Sequence, residues 1–143
     1  MWIETFLMTK TPTDSQISEP RGELALRTLA MPSDANPNGD IFGGWLMAQM
    51  DIAGGITAFS AADGRVATVA VDGFTFHLPV HVGDVLCCYA DIIKTGRTSM
   101  TIRVEAWVLR QRMKKHREKV TEGLFTFVAI DDEGNKRTLP TEP

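Results

Sequence analysis

The chain has 143 residues, 43% of them hydrophobic and 23% charged, the size and composition of one soluble globular domain. Its 15 basic and 18 acidic residues leave a net charge of −3, which excludes a polyanion such as nucleic acid as the main partner. A single chain of this length hides only about two-thirds of its unfolded surface, so a cleft closed on all sides calls for a partner subunit.

Residues 1–20 read as a tail: Thr11 to Gln16 is polar and turn-prone, and Pro20 ends the stretch. Met1 to Lys10 holds no apolar run long enough for a signal peptide, so a cytoplasmic location is expected. The domain spans 21–143. Leu24 to Met31 is the first expected strand, stopped by Pro32. A loop of turn residues, Ser33 to Asp40, leads to a change of pattern at Gly44. From there to Ala62, Trp45, Leu46, Met47, Met50, Ile52, Ile56 and Phe59 point in nearly every direction of a helical wheel. That pattern belongs to a helix wrapped by protein. Val66 to Phe76 is rich in β-branched and aromatic residues, and Pro79 with Gly83-Asp84 marks a turn before a strand from Val85 to Lys94. Within it, Cys87 and Cys88 are neighbours whose side chains fall on opposite faces, which argues for two reduced thiols. Met100, Ile102, Val104, Ala106 and Val108 then alternate with Thr101, Arg103, Glu105 and Trp107, the period-two signature of a strand. Arg110 to Lys119 is a basic hairpin connection, Val120 to Ile130 the last long strand, and Asp131 to Asn135 a turn before Lys136 to Leu139. One strand, one apolar helix and four strands joined by short turns predict an α+β domain. In it an antiparallel sheet curls around one long central helix, the arrangement called the hotdog fold.

Asp51 is the only charged residue between Ile41 and Ala62. An ionised carboxylate on an apolar helix is costly unless something pairs with it or uses it. It caps a neighbouring element, pairs with a core arginine, faces water at a subunit seam, or does chemistry. Gly43-Gly44 opens the helix, and Gly39 lies just upstream. Glycines there let a ligand approach the first helical N–H groups, which have no internal partners and suit an oxygen gaining negative charge. A tight loop entering a close-packed helix is the plainer explanation. Gly54-Gly55 in mid-helix is unfavourable by ~1 kcal/mol per residue against alanine, which points to close packing. His77, His81 and His116 have no metal-ligand spacing with cysteine or carboxylate, so no metal is expected. Neither a Gly-x-Ser-x-Gly elbow nor a phosphate-cradling Gly-x-x-x-x-Gly-Lys run occurs. The cluster Arg110, Arg112 and Lys114-Lys115-His116-Arg117 is a solvated hairpin tip or an aid in holding a nucleotide phosphate.

The stretches Leu26-Arg27-Thr28-Leu29-Ala30-Met31-Pro32, Asn38-Gly39-Asp40-Ile41-Phe42-Gly43-Gly44-Trp45-Leu46-Met47 and Gln49-Met50-Asp51 closely resemble the bacterial YciA-type acyl-CoA thioesterases. Gly64-Arg65-Val66, Val82-Gly83-Asp84-Val85, Cys87-Cys88-Tyr89 and Phe127-Val128-Ala129-Ile130-Asp131 continue the likeness, which spans about Arg21 to Pro140. The resemblance implies a hotdog fold that dimerises through a continuous sheet, often as a homohexameric trimer of dimers, with active sites at the dimer seam. It implies broad chain-length hydrolysis of acyl-CoA in fatty acid metabolism, with CoA as part of substrate and product and no separate cofactor. The family's acidic helix residue falls on Asp51, and the asparagine of related two-domain thioesterases falls on Asn36, two residues from Asn38. His77, in Phe74-Thr75-Phe76-His77-Leu78, departs from the apolar or basic residue expected there and bears on acyl preference.

On this reading the thioester carbonyl rests on N–H groups near Gly43 and Gly44, and Asn36 orients water or substrate. Asp51, from the partner subunit, activates water or attacks the carbonyl. Arg97, in the turn with Thr98 and Ser99, holds a CoA phosphate. The alternatives are a non-catalytic acyl-CoA-binding module and an acyl-thioester dehydratase. The absence of histidine before His77 weighs against the second.

Overall fold

The computed structural model describes residues 19–110 and 116–141. Residues 1–18 of the tail and Arg112, Lys114 and Lys115 of the basic cluster lie outside them. The described elements are β1 (Glu23–Leu29), α1 (Gly43–Ala62), β2 (Val66–Asp72), β3 (Val85–Thr95), β4 (Ser99–Leu109) and β5 (Arg117–Ala129). The strands form one antiparallel sheet in the order β1-β3-β4-β5-β2, with α1 packed on one face. This is the expected α+β hotdog arrangement.

Two strands end earlier than the apolar pattern implies. β1 stops at Leu29 because Ala30 donates its N–H to Asp84 O at 3.0 Å and Pro32 opens a single 3-10 turn, Pro32–Asp34. β2 stops at Asp72 because Gly73, at φ 80°, takes the left-handed region that turns the chain out of the ladder. A short turn from β2 to the next strand was also expected, and the structure differs. β2 is the edge strand beside β5, and residues 73–84 cross to β3 near the other edge.

The alternation along β4 places the core. Met100, Ile102, Val104, Ala106 and Val108 face α1 and are buried with Leu46, Met50, Ala53, Ala58 and Ala62 of the helix. Gly54 sits where the helix comes closest. A Cβ there would lie 3.0 Å from the Phe127 ring and 3.3 Å from Val104. Replacing Gly54 by Val is therefore expected to destabilise by about 1–3 kcal/mol through overpacking, read as a lower Tm than wild type. An unchanged Tm would mean the helix has room it does not show. Cys88 faces this core and Cys87 the other side, both free and buried. Burial pushes the Cys88 thiol up to about 12, which removes it as a nucleophile at neutral pH.

The outer face of the sheet is less solvated than the alternation implies. Glu105 and Trp107 are both buried there. Arg21 Nε donates to Glu105 Oε2 at 2.6 Å, and Trp107 Nε1 to Glu105 Oε1 at 2.9 Å, so the carboxylate is paired as burial requires. The helix shows the opposite correction. Ile52, Ile56 and Phe59 are 49%, 51% and 55% exposed, because one five-stranded sheet covers only one side of α1. A single chain does not wrap the helix. Among the described residues no helix is long and apolar enough to cross a membrane.

Candidate active site

Asp51 lies two turns into α1, on the margin between the buried face and the exposed apolar stripe, and is half-buried. Thr68 on β2 donates its hydroxyl to Asp51 Oδ1 at 2.7 Å. One carboxylate oxygen is thereby held in place, and the other is left to act on a ligand. Among the described residues Asp51 caps no helix and enters no ion pair, which removes two of its three structural explanations. The third, a seam between subunits, stands beside the chemical reading.

At the helix start, Phe42 is extended at φ −61° and ψ 136°, and no side chain caps the helix. The first helical donors are Trp45 and Leu46, which bond Phe42 O at 3.1 and 3.3 Å. The N–H groups of Gly43 and Gly44 precede them and have no acceptor one turn back. Both glycines are exposed, and a Cβ on Gly44 would meet nothing within 4 Å, so a ligand can reach the backbone there.

Asn36 belongs to this same end of the helix. Its Oδ1 accepts from the N–H of Asn38 at 2.9 Å and of Asp40 at 3.1 Å, closing the loop that Phe42 N–H ties back to Asp34 O at 3.1 Å. Its carbonyl is committed to the loop, and its Nδ2 is the group left to donate to a ligand.

These parts do not meet within one chain. Eight residues of helix separate Gly43 from Asp51, about 12 Å along the axis, while one reacting carbonyl needs both groups at about 3 Å. Each chain thus presents two separate groups of candidate residues: Asp51 with Thr68, and Gly43, Gly44 and Asn36. Sequence reading missed Thr68. Its one signal was a hydroxyl in the otherwise apolar run Val66-Ala67-Thr68-Val69-Ala70-Val71 that follows the helix.

Arg97 and Thr98 lie in the β3–β4 turn and Ser99 opens β4, on the helix C-terminal side of Asp51. Their carbonyls accept from Leu139 N–H at 2.9 Å, Ala129 N–H at 2.9 Å and Gly96 N–H at 2.7 Å, which fixes the turn. Arg97 is exposed, and its guanidinium has no carboxylate partner among the described residues, so it is available to an anion. The described part of the basic cluster is differently placed. Arg110 pairs with Asp84 at 2.5 Å and Glu118 at 2.9 Å, His116 with Glu118 at 3.7 Å, and Arg117 with Glu19 at 3.0 Å. Those charges are used within the fold. His81 Nδ1 lies 3.5 Å from Asp40 Oδ1, and the His77 backbone N–H donates to Val120 O at 2.9 Å. Among the described residues no group of three His, Cys, Asp or Glu could hold a metal ion.

Beside the helix start lies an apolar hollow of about 210 Å³, bounded by Gly43 and Leu46 on one side and by Phe76, Leu78 and Val80 on the other.

The thioesterase superfamily model matches residues 38–114. The acyl-CoA thioester hydrolase YciA of Escherichia coli is 57% identical over 125 residues, covering 86% of this chain and 95% of that protein. A hexameric thioesterase from Yersinia pestis superposes with a TM-score of 0.81 at 60% identity, over 87% of this chain and all of the other (100%). A structure described as a hexameric broad-specificity acyl-coenzyme A thioesterase gives a TM-score of 0.82 at 53% identity, over 87% of this chain and 85% of its own. A lone helical carboxylate, an open glycine helix start and this likeness over nearly the whole fold together show that the chain belongs to the thioesterase superfamily, among its YciA-type acyl-CoA thioester hydrolases.

Proposed function

We propose that the protein hydrolyses acyl-CoA thioesters of varied chain length to free acid and CoA, in the cytoplasm, with residues 21–143 as a single hydrolase domain. The observation that carries this reading is Asp51: a half-buried carboxylate held by the Thr68 hydroxyl at the margin of the exposed helix stripe, in no ion pair among the described residues. Water held against Asp51 gives up its proton as its oxygen attacks the thioester carbon. The carbonyl oxygen takes the negative charge and is stabilised by the N–H groups of Gly43 and Gly44 from a second copy of the chain. Collapse of that intermediate breaks the C–S bond, and the CoA thiolate leaves and takes up a proton. Direct attack by Asp51, forming an anhydride that water then cleaves, uses the same geometry. Asn36 Nδ2 orients the water or the substrate, and Arg97, with the hydroxyls of Thr98 and Ser99, holds a CoA phosphate. CoA enters as substrate and leaves as product, so no further cofactor takes part.

The assembly follows from surfaces that one chain leaves open. Val69 and Val71 on the edge strand β2 are 57% and 40% exposed, alongside the bare stripe of α1. An edge strand and an apolar helix face side by side suit antiparallel pairing with a second copy, which also brings the two half-sites together. A trimer of such dimers is the expected hexamer. The deciding test is free-thiol release by the purified protein from acetyl- to palmitoyl-CoA. Release at several chain lengths is expected, and release from none would overturn the assignment.

A further inference from the structure

The segment that crosses from β2 to β3 is built as a rigid apolar wall. Phe76 stacks on Phe74 with centroids 5.9 Å apart, and Phe74 meets Phe125 edge-on at 5.7 Å. Gly123 admits the Phe74 ring, since a Cβ there would lie 2.8 Å from it. Thr121 Oγ1 donates to Thr75 O at 2.7 Å, and His77 N–H to Val120 O at 2.9 Å, so residues 75–77 are fastened to β5. At the other end of the wall, Ile41 N–H donates to Val80 O at 3.0 Å. Yet Phe76 and Leu78 remain 45% and 36% exposed. Two large apolar side chains held half in water by a fixed backbone are what a binding wall shows.

The 210 Å³ hollow lies between this wall and the first turn of α1. The Phe76 ring comes within 3.6 Å of where a Gly43 Cβ would stand, so the hollow begins at the backbone that accepts the carbonyl. His77 is not part of the lining, which moves the question of acyl preference from His77 to its two neighbours.

We infer that this hollow receives the acyl chain and that Phe76 and Leu78 set the preferred chain length, an assignment that rests on the carbonyl docking at Gly43 and Gly44. The hollow is apolar and open on one side, which suits an alkyl chain entering from the carbonyl end. Each further methylene that finds apolar cover favours binding by about four-fold. Phe76→Ala adds room to the hollow for a longer chain, and Leu78→Trp fills it.

The test is kcat/KM for acetyl-, octanoyl- and dodecanoyl-CoA with the wild-type oligomer and both variants, each checked by size-exclusion chromatography. Phe76→Ala is expected to raise the dodecanoyl-to-octanoyl ratio, and Leu78→Trp to lower the octanoyl-to-acetyl ratio, each by at least about ten-fold. If both variants assemble and change every substrate by the same factor, the chain does not run through this hollow. If both lose the oligomer, the wall is a subunit contact and the assignment is wrong. Wild-type protein that releases no CoA from any thioester removes the hydrolase reading, and this one with it. An unshifted profile in active variants removes the acyl assignment alone.

Discussion

Asp51→Asn is expected to lower kcat for acyl-CoA hydrolysis by about 10³-fold or more, the scale of losing a positioned base, while the oligomer and its Tm stay near wild type. The two side chains have nearly the same shape, and the site is half-buried with a single hydrogen bond from Thr68, so the fold loses little. An amide oxygen can still accept from the Thr68 hydroxyl, but the amide neither takes a proton from water nor attacks a carbonyl. Thr68→Val tests the support of the carboxylate separately. It removes one hydrogen bond to a charged group and is expected to cost about ten-fold in kcat. The ordering of the two losses matters: Thr68 acts through Asp51, so the double variant should be no slower than Asp51→Asn alone. Thiol release by Asp51→Asn within ten-fold of wild type would end the catalytic role, and a variant that no longer assembles would make Asp51 a structural residue.

How far the sequence carried depends on whether the relevant contact is local. The alternation from Met100 to Val108 was legible because a strand with one face on a helix must repeat every two residues, and those five side chains do line the core. Asp51 was legible as a candidate because one charge in an apolar helix is conspicuous without knowing any neighbour. Thr68 was not, since its hydrogen bond to Asp51 exists only once β2 is laid beside α1, seventeen positions away in the chain. The burial of Glu105 and Trp107 was hidden for the same reason: Arg21 reaches Glu105 across 84 residues. The crossing of 73–84 was misread as a turn because composition shows where a strand ends but not which edge the next one joins. The helix pattern was half-answered. One side of that pattern is buried against the sheet, and Ile52, Ile56 and Phe59 find no cover in this chain.

That missing cover leads to an expected gain of activity from two inactive proteins. Gly43→Pro deletes one helix-start N–H while keeping the helix, because Phe42 at ψ 136° already has the extended backbone a following proline demands. Losing such a donor is expected to cost about 10²–10³-fold in kcat. Asp51→Asn disables the other half-site. If each active site joins Asp51 of one copy to Gly43 of another, a mixed dimer of the two variants holds one doubly damaged site and one wholly intact site. Random pairing after co-expression makes half the dimers mixed, so about a quarter of wild-type activity returns. A site built within one chain predicts the reverse, because every site then carries one lesion and the mixture is as slow as its parts. The roughly 12 Å of helix between Gly43 and Asp51 is what separates the two outcomes. Activity in the mixture near a quarter of wild type fixes the site at the seam, and activity no greater than the sum of the two variants would place both groups of each site in one chain.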